Sequence, residues 1–403
     1  MGSVLRNFAQ VMNTALLVTV ILAAVSIGIA LLLLFLAARR AWRHFRSARF
    51  DAISLKVHSQ WREIVRGEIP AAEWRNDSLQ CGIVLSIVIQ EIGATTDKDR
   101  AGLQKFLRSS GLLDRCIERV HCGRGWTRRR AMLALGAMRV PEAIAPLSEA
   151  LDDWQLDTRL TAVQALGRTG LAEAAEPMLE TYMVGGLKVP NGPVANALVR
   201  CYMDQPVALL PFLRRSQGES RELLARVASE LATPGMADEM IHLAEDPQPE
   251  VRACAAKALA VAALPVAIPV LANLARDEVW FVRLRAVSAL HQIPHPRVIP
   301  ILLEAVRDSK RLVRIRAAAA LAKFEHETVE ILQSIVDSRD RYALHAMISA
   351  LELGGGFEKV MAQLSDPMLR DEAAAHLLDA LREGSAGLWS TRPSDPVVES
   401  VFP

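Results

Sequence analysis

Cysteine is scarce. Five in 403 residues, with no CxxC pair, exclude a disulfide scaffold and any zinc module built on paired thiolates. The same usage fits a reducing compartment. Aromatic residues make up only 5%, too few for a β-sandwich, whose strands draw on Tyr, Phe, Trp and Thr. Catalytic signatures are missing too: there is no GxGxxG, P-loop, GxSxG or HExxH. What is plentiful is Ala, Leu, Val and Ile. With 51% hydrophobic and 23% charged residues, disorder of the whole chain is excluded and interlocking helices are favoured.

The net charge of +2 conceals a split. Residues 1–130 hold 20 basic against 10 acidic side chains, and the remainder holds 27 against 35. Charge is absent altogether from 7 to 38, and 15–36 (ALLVTVILAAVSIGIALLLLFL) is almost wholly apolar. About 20 such residues cross a hydrocarbon core of roughly 30 Å. The one weak cleavage site, Ala24-Val25-Ser26, lies inside the run, which argues for an uncleaved anchor rather than a signal peptide. Arg6 precedes the run, whereas Arg39, Arg40, Arg43, Arg46 and Arg49 follow it, interleaved with Trp42 and Phe45. The positive-inside rule then predicts a single-pass inner (plasma) membrane protein with its N-terminus out and its C-terminal domain cytoplasmic. Residues 1–14 would be extracytoplasmic, 15–38 the transmembrane helix, and 39–50 a basic juxtamembrane segment against anionic headgroups.

The rest of the chain repeats. V-R-x2-A-x2-A-L occurs at Val251-Arg252, at Val282-Arg283 and at Val313-Arg314, each 31 residues after the last. Earlier lattice points fit at Arg159 and Arg128, and degenerate copies sit at Arg221 and His345. The point at 190 is disturbed by Pro190 and Pro193, so that helix is expected near 194–203. A second column, Asp153, Asp246, Asp277 and Asp308, stands six residues before the repeat arginine. Aspartate there can accept from the first free amides of a helix. The arginine behind it makes sense if it pairs with the aspartate of its own or a neighbouring repeat. The expected ladder is therefore Asp153, Asp246, Asp277 and Asp308 with Arg128, Arg159, Arg252, Arg283 and Arg314. Pro146, Pro177, Pro269 and Pro300 mark a second helix in each unit.

These D-x4-V-R-x2-A-x2-A-L units resemble HEAT repeats, specifically the phycobilisome-lyase-type HEAT-like subclass. The resemblance implies an all-α protein: a right-handed α-solenoid of about eight two-helix repeats over 124–383, following the transmembrane helix. Residues 51–123 are read as a helical N-terminal cap, with helices at 55–66, 78–92 and 100–108, and 384–403 (rich in Gly, Ser and Pro) as a flexible tail. HEAT-like arrays are scaffolds in most families and lyases in a few, so the fold does not by itself supply a function.

Candidate metal sites are weak. Cys116, His121 and Cys122 lack paired spacing and a fourth ligand, and His291 and His295 are separated by Pro294. Cys201 and Cys254 fall on first helices and read as core, and Gly354-Gly355-Gly356 as a helix end. A second arginine column is more suggestive. Arg130, Arg285 and Arg316 follow the first column by two residues and, with Arg129 and Arg311, form a basic stripe. Trp126, Trp280 and Phe281 precede it, and Arg with Trp is the composition of interface hot spots. The expectation is a membrane-anchored scaffold or adaptor that binds a protein partner, itself membrane-associated, at the cytoplasmic face. Its layout resembles accessory components of bacterial envelope and polysaccharide synthesis or export systems. No cofactor, no metal and no enzymatic activity are expected, and the net acidity of 131–403 argues against nucleic acid. A ligand-sensing regulatory subunit or a lyase-like HEAT enzyme are the alternatives.

Overall fold

The computed structural model describes residues 2–66, 84–87, 89–91, 97–262, 266–365 and 372–390, with the side chains of 2–26, 46, 65–66, 97–99, 262, 372–373 and 385–390 outside that description. Among the described residues every regular element is helical. The chain divides into two compact units, Met1–Met138 and Arg139–Pro403.

In the first unit α1 (Gly2–Ser59) breaks at Gln60 and α2 (Trp61–Arg66) follows. The helix expected over 55–66 is thus split. Beyond it come α3 (Asp97–Ser109), α4 (Leu112–Cys122) and α5 (Gly125–Met138). Successive helices α2 to α5 pack on one another around Phe106, Leu107, Leu113 and Leu135. Of the segment 78–92, residues 84–87 and 89–91 are helical with Val84 and Ile87 buried, and the others lie outside the described residues.

The N-terminal expectation needs correction. Among the described residues no helix is long and apolar enough to cross a membrane. Residues 15–26 of the expected span have side chains outside the description. α1 continues through the basic segment to Ser59. The single-pass inner-membrane localisation, with its outside N-terminus and cytoplasmic domain, is therefore overturned.

The second unit alternates short and long helices: α6 (Ile144–Glu149), α7 (Leu156–Thr169), α8 (Ala175–Met183), α9 (Asn191–Tyr202), α10 (Leu210–Arg215), α11 (Gly218–Glu230), α12 (Ala237–Leu243), α13 (Pro249–Ala262), α14 (Ala267–Leu274), α15 (Trp280–Leu290), α16 (Ile299–Ala305), α17 (Arg311–Leu321), α18 (Thr328–Asp337), α19 (Arg341–Leu353), α20 (Phe357–Leu364) and α21 (Glu372–Ser390). Each long helix from α7 to α21 packs on the next long one. The repeat sequence explains this. Val282, Ala286, Ala289 and Leu290 fall at i, i+4, i+7 and i+8, one face of a helix, and all are buried. Alanine at two of those places lets neighbouring helices approach closely. At Gly167 the approach is closer still, since a Cβ there would lie 2.6 Å from the Ala197 Cα. The short helices α6, α8, α10, α12 and α16 open on 3-10 turns, and Pro300 sits in the first turn of α16, where the missing N–H costs nothing. The helix expected near 194–203 is α9. Of the expected flexible tail, residues 384–390 are helical in α21, with Gly384 buried against Ile348, and residues 391–403 lie outside the described residues.

Candidate protein-binding face

The two arginine columns meet different fates. In the first, Arg252 donates from Nε and Nη2 to Asp277 at 2.7 and 3.0 Å, and Arg283 to Asp308 at 2.5 and 2.9 Å. Arg221 reaches Asp246 at 2.5 Å. The carboxylate always belongs to the following repeat. The arginine's own repeat supplies carbonyls instead: Nη1 of Arg252, Arg283, Arg314 and Arg159 donates to the carbonyl of Asp246, Asp277, Asp308 and Asp153 at 2.8 to 2.9 Å. Each of these aspartates also accepts, at Oδ1, the amide two residues on, at 2.7 to 2.9 Å. In the first unit Arg128 Nε donates to the Val120 carbonyl at 2.8 Å.

Burial sets the electrostatics. It pushes the Asp277 carboxyl up, but the Arg252 hydrogen bond, the Val279 amide and the charges of Arg252 and Arg283 outweigh it and hold the group below the usual carboxylate range. Asp308 behaves likewise through Arg283 and the Lys310 amide. With side chains 8 to 17% exposed at the Arg252 and Arg283 rungs, these arginines are internal ties rather than ligands for a partner.

The second column lies on the outside. Arg285 is exposed. Arg226, Lys257 and Arg285 all bring positive charge to the half-buried Cys254, whose thiol burial nonetheless pushes up. Lys257 pairs with Glu230 at 2.5 Å, whereas Arg226 and Arg285 have no carboxylate partner among the described residues. Arg316 is half-buried and donates from Nε to Ser288 Oγ at 3.1 Å, so it is partly spent on the fold. Beyond it lies His291, driven down to about 4 by burial and by the charges of Lys323 and Arg316. The face of the long helices α11, α13, α15 and α17 thus carries Arg226, Lys257, Arg285, Arg316 and the Lys323 charge. Arg226 and Lys257 were not singled out from the sequence, although they stand 31 residues apart.

The remaining candidates separate. Arg130 belongs to the first unit, where its guanidinium lies 5.4 Å from the centre of the exposed Trp126 ring; Arg129 beside it is half-buried. Trp280 packs edge-on to Phe281, ring centres 6.1 Å apart, at the start of α15. Arg311 is exposed at the start of α17. Trp154, 84% exposed beside Asp153, went unremarked in the sequence. Among the described residues no three His, Cys, Asp or Glu side chains converge as a metal site. Cys116 and Cys201 are buried, their thiols pushed up to about 11 and about 12. Gly354–Gly356 follows the last residue of α19, with Gly355 left-handed at φ 68°.

Sequence comparison places this architecture. The family described as HEAT repeats matches residues 113–183, 206–291 and 280–352, more than half of the chain. A search of the curated proteins returned no match. Similar solved structures include an engineered protein, 16% identical, covering 78% of this chain and 97% of that one with a TM-score of 0.35. The complex of CpcE and CpcF of phycocyanin lyase from Nostoc sp. PCC7120 is 17% identical, with coverages of 67% and 94% and a TM-score of 0.25. Kap121p bound to Pho4p is 13% identical, with coverages of 78% and 47% and a TM-score of 0.33.

Proposed function

Since this chain belongs to the HEAT-repeat family, we propose that it is a scaffold that binds a protein partner through the cationic face of its long helices. The observation that carries this reading is the contrast between the two arginine columns. It is clearest on α15, where Arg283 is saturated by the Asp308 carboxylate and its own loop carbonyls, and Arg285, two residues on, is turned to solvent. Arg226 on α11 and Arg285 on α15, the long helices that flank α13, have no carboxylate partners among the described residues and offer forked donors that suit Asp or Glu side chains. The partner is an acidic protein surface rather than nucleic acid, because residues 131–403 are acidic in total. The scaffold works by holding its partner and contributes no catalytic group of its own.

Affinity purification of the tagged full chain from its native cells tests this, with Arg226→Glu/Arg285→Glu run in parallel. Charge reversal at both places removes the partner while the melting temperature stays within about 2 °C, as surface substitutions do. Recovery of the same proteins by both versions refutes the face.

A further inference from the structure

The intact rungs show what each repeat arginine is shaped to hold, and one arginine holds nothing there. Arg252 and Arg283 each grip a carboxylate through Nε and Nη2 while Nη1 bonds the loop of their own repeat. Arg314 reproduces only the second half, with Nη1 donating to the Asp308 and Ser309 carbonyls at 2.8 and 3.2 Å. Twenty-five residues on, where the carboxylate belongs, the chain has Arg339 in the left-handed region at φ 57°. The loop is also two residues shorter. Asp308 stands three residues ahead of α17, whereas Asp340 directly caps α19, its Oδ1 accepting from the Tyr342 and Ala343 amides at 2.9 and 3.1 Å. Asp308 itself is committed to Arg283 and the Lys310 amide. Among the described residues no carboxylate bonds Arg314.

Its other neighbour is aromatic. The Tyr342 ring centre lies 5.1 Å from the Arg314 guanidinium carbon, and Tyr342 is 70% exposed. Arg311, one helical turn before Arg314, is exposed, as are Arg339 and Arg341 on either side of Asp340. The ladder's interruption at Arg159 differs. Val184 stands 25 residues on, in the carboxylate's lattice place, but the Arg159 Nη2 is taken by the Lys188 carbonyl at 2.9 Å and its Nε is buried without a hydrogen-bond partner. There the chain has closed the gap; at Arg314 it has not.

The geometry points to Arg314 as the receptor for an aspartate or glutamate side chain of a partner protein, which completes the rung that the next repeat leaves open. The molecule supplies its own template, since Arg252 and Arg283 bind that group at the equivalent place. A planar fork matches a two-oxygen acceptor, Tyr342 forms a wall beside it, and Arg311, Arg339 and Arg341 favour an acidic segment around the docked residue. The site rests on the scaffold reading only in that the ligand belongs to a protein; it lies apart from Arg226 and Arg285.

The test is fluorescence anisotropy of a fluorescein-labelled peptide of six aspartates with the full chain. Arg314→Lys keeps the charge and loses the fork, and weakens binding about tenfold, the loss expected of charge-assisted hydrogen bonds. Tyr342→Ala, at an exposed position, weakens it severalfold without unfolding. Equal binding by wild type and Arg314→Lys overturns the site, as does absence of binding to wild type. Loss with Arg285→Glu but not with Arg314→Lys assigns the peptide to the scaffold face and sinks the open rung alone. Binding that emerges only after removal of residues 391–403 shows that Asp395 or Glu399 of this chain fills the rung, which also overturns the proposal.

Discussion

Arg283 and Asp308 stand 25 residues apart in the chain, yet two hydrogen bonds of 2.5 and 2.9 Å join them, with side chains only 14% and 8% exposed. Each belongs to a different repeat, and the bond crosses the seam between α15 and α17. Removing one partner of such a pair strands the other away from water. Arg283→Ala therefore leaves Asp308, rather than Asp277, uncompensated and destabilises by about 3 kcal/mol, read by urea unfolding of the full chain. Arg283→Met/Asp308→Leu recovers much of that loss, because neither charge is then stranded.

The same rungs make the array acid-sensitive in a defined window. Asp277 and Asp308 titrate below the ordinary carboxylate value when folded. Their contribution is complete above the unfolded value of about 3.9 and is lost as pH falls through the lower folded value. Melting curves between pH 5 and 2.5 show a steeper decline for wild type than for Arg283→Met/Asp308→Leu.

His291 adds a separate slope at milder pH. Half-buried, and facing the charges of Lys323 and Arg316, it is held at about 4 when folded, against about 6.5 in the unfolded chain. A depressed histidine stabilises fully above the unfolded value and progressively less as pH falls towards the folded one. Its Nδ1 is buried without a hydrogen-bond partner, so an apolar ring is tolerated there. His291→Phe flattens the fall in melting temperature between pH 6.5 and 5.

Two glycines separate packing from backbone freedom. Gly192, at the start of α9, has open space where a Cβ would go, so Gly192→Ala stabilises by about 0.5 kcal/mol. A Cβ at Gly167 would meet the Ala197 Cα and Cβ at 2.6 and 2.7 Å. Gly167→Ala pushes α7 from α9 and destabilises by about 1 to 3 kcal/mol despite alanine's better helix propensity. Thermal melts of the two variants move in opposite directions.

Much of this was legible in the sequence. The 31-residue lattice revealed the long helices because buried Val, Ala, Ala and Leu recur on one face with little substitution. The ladder's residues were visible, but not which repeat gives the carboxylate and which the carbonyl, since that depends on how one helix stacks on the next. Arg226 and Lys257 escaped because their column continues as Ser288, which dilutes a charge pattern. The open rung could have been read: Val184 and Arg339 occupy lattice places that elsewhere hold aspartate. Arg316 was read as free because sequence does not reveal a neighbouring hydroxyl such as Ser288. At the N-terminus the apolar run suggested an anchor, whereas among the described residues no helix is long and apolar enough to cross a membrane.

The interruption at Arg159 has a mechanical consequence when set beside the one at Arg314. Between them the seams at Arg221, Arg252 and Arg283 are each riveted by a carboxylate. The seam after α17 lacks that rivet, and so does the seam between α9 and α11, where Pro190 stands in the arginine's place. Bending strain applied to the second unit concentrates at the unriveted seams, and α11 through α17 move as a stiff beam.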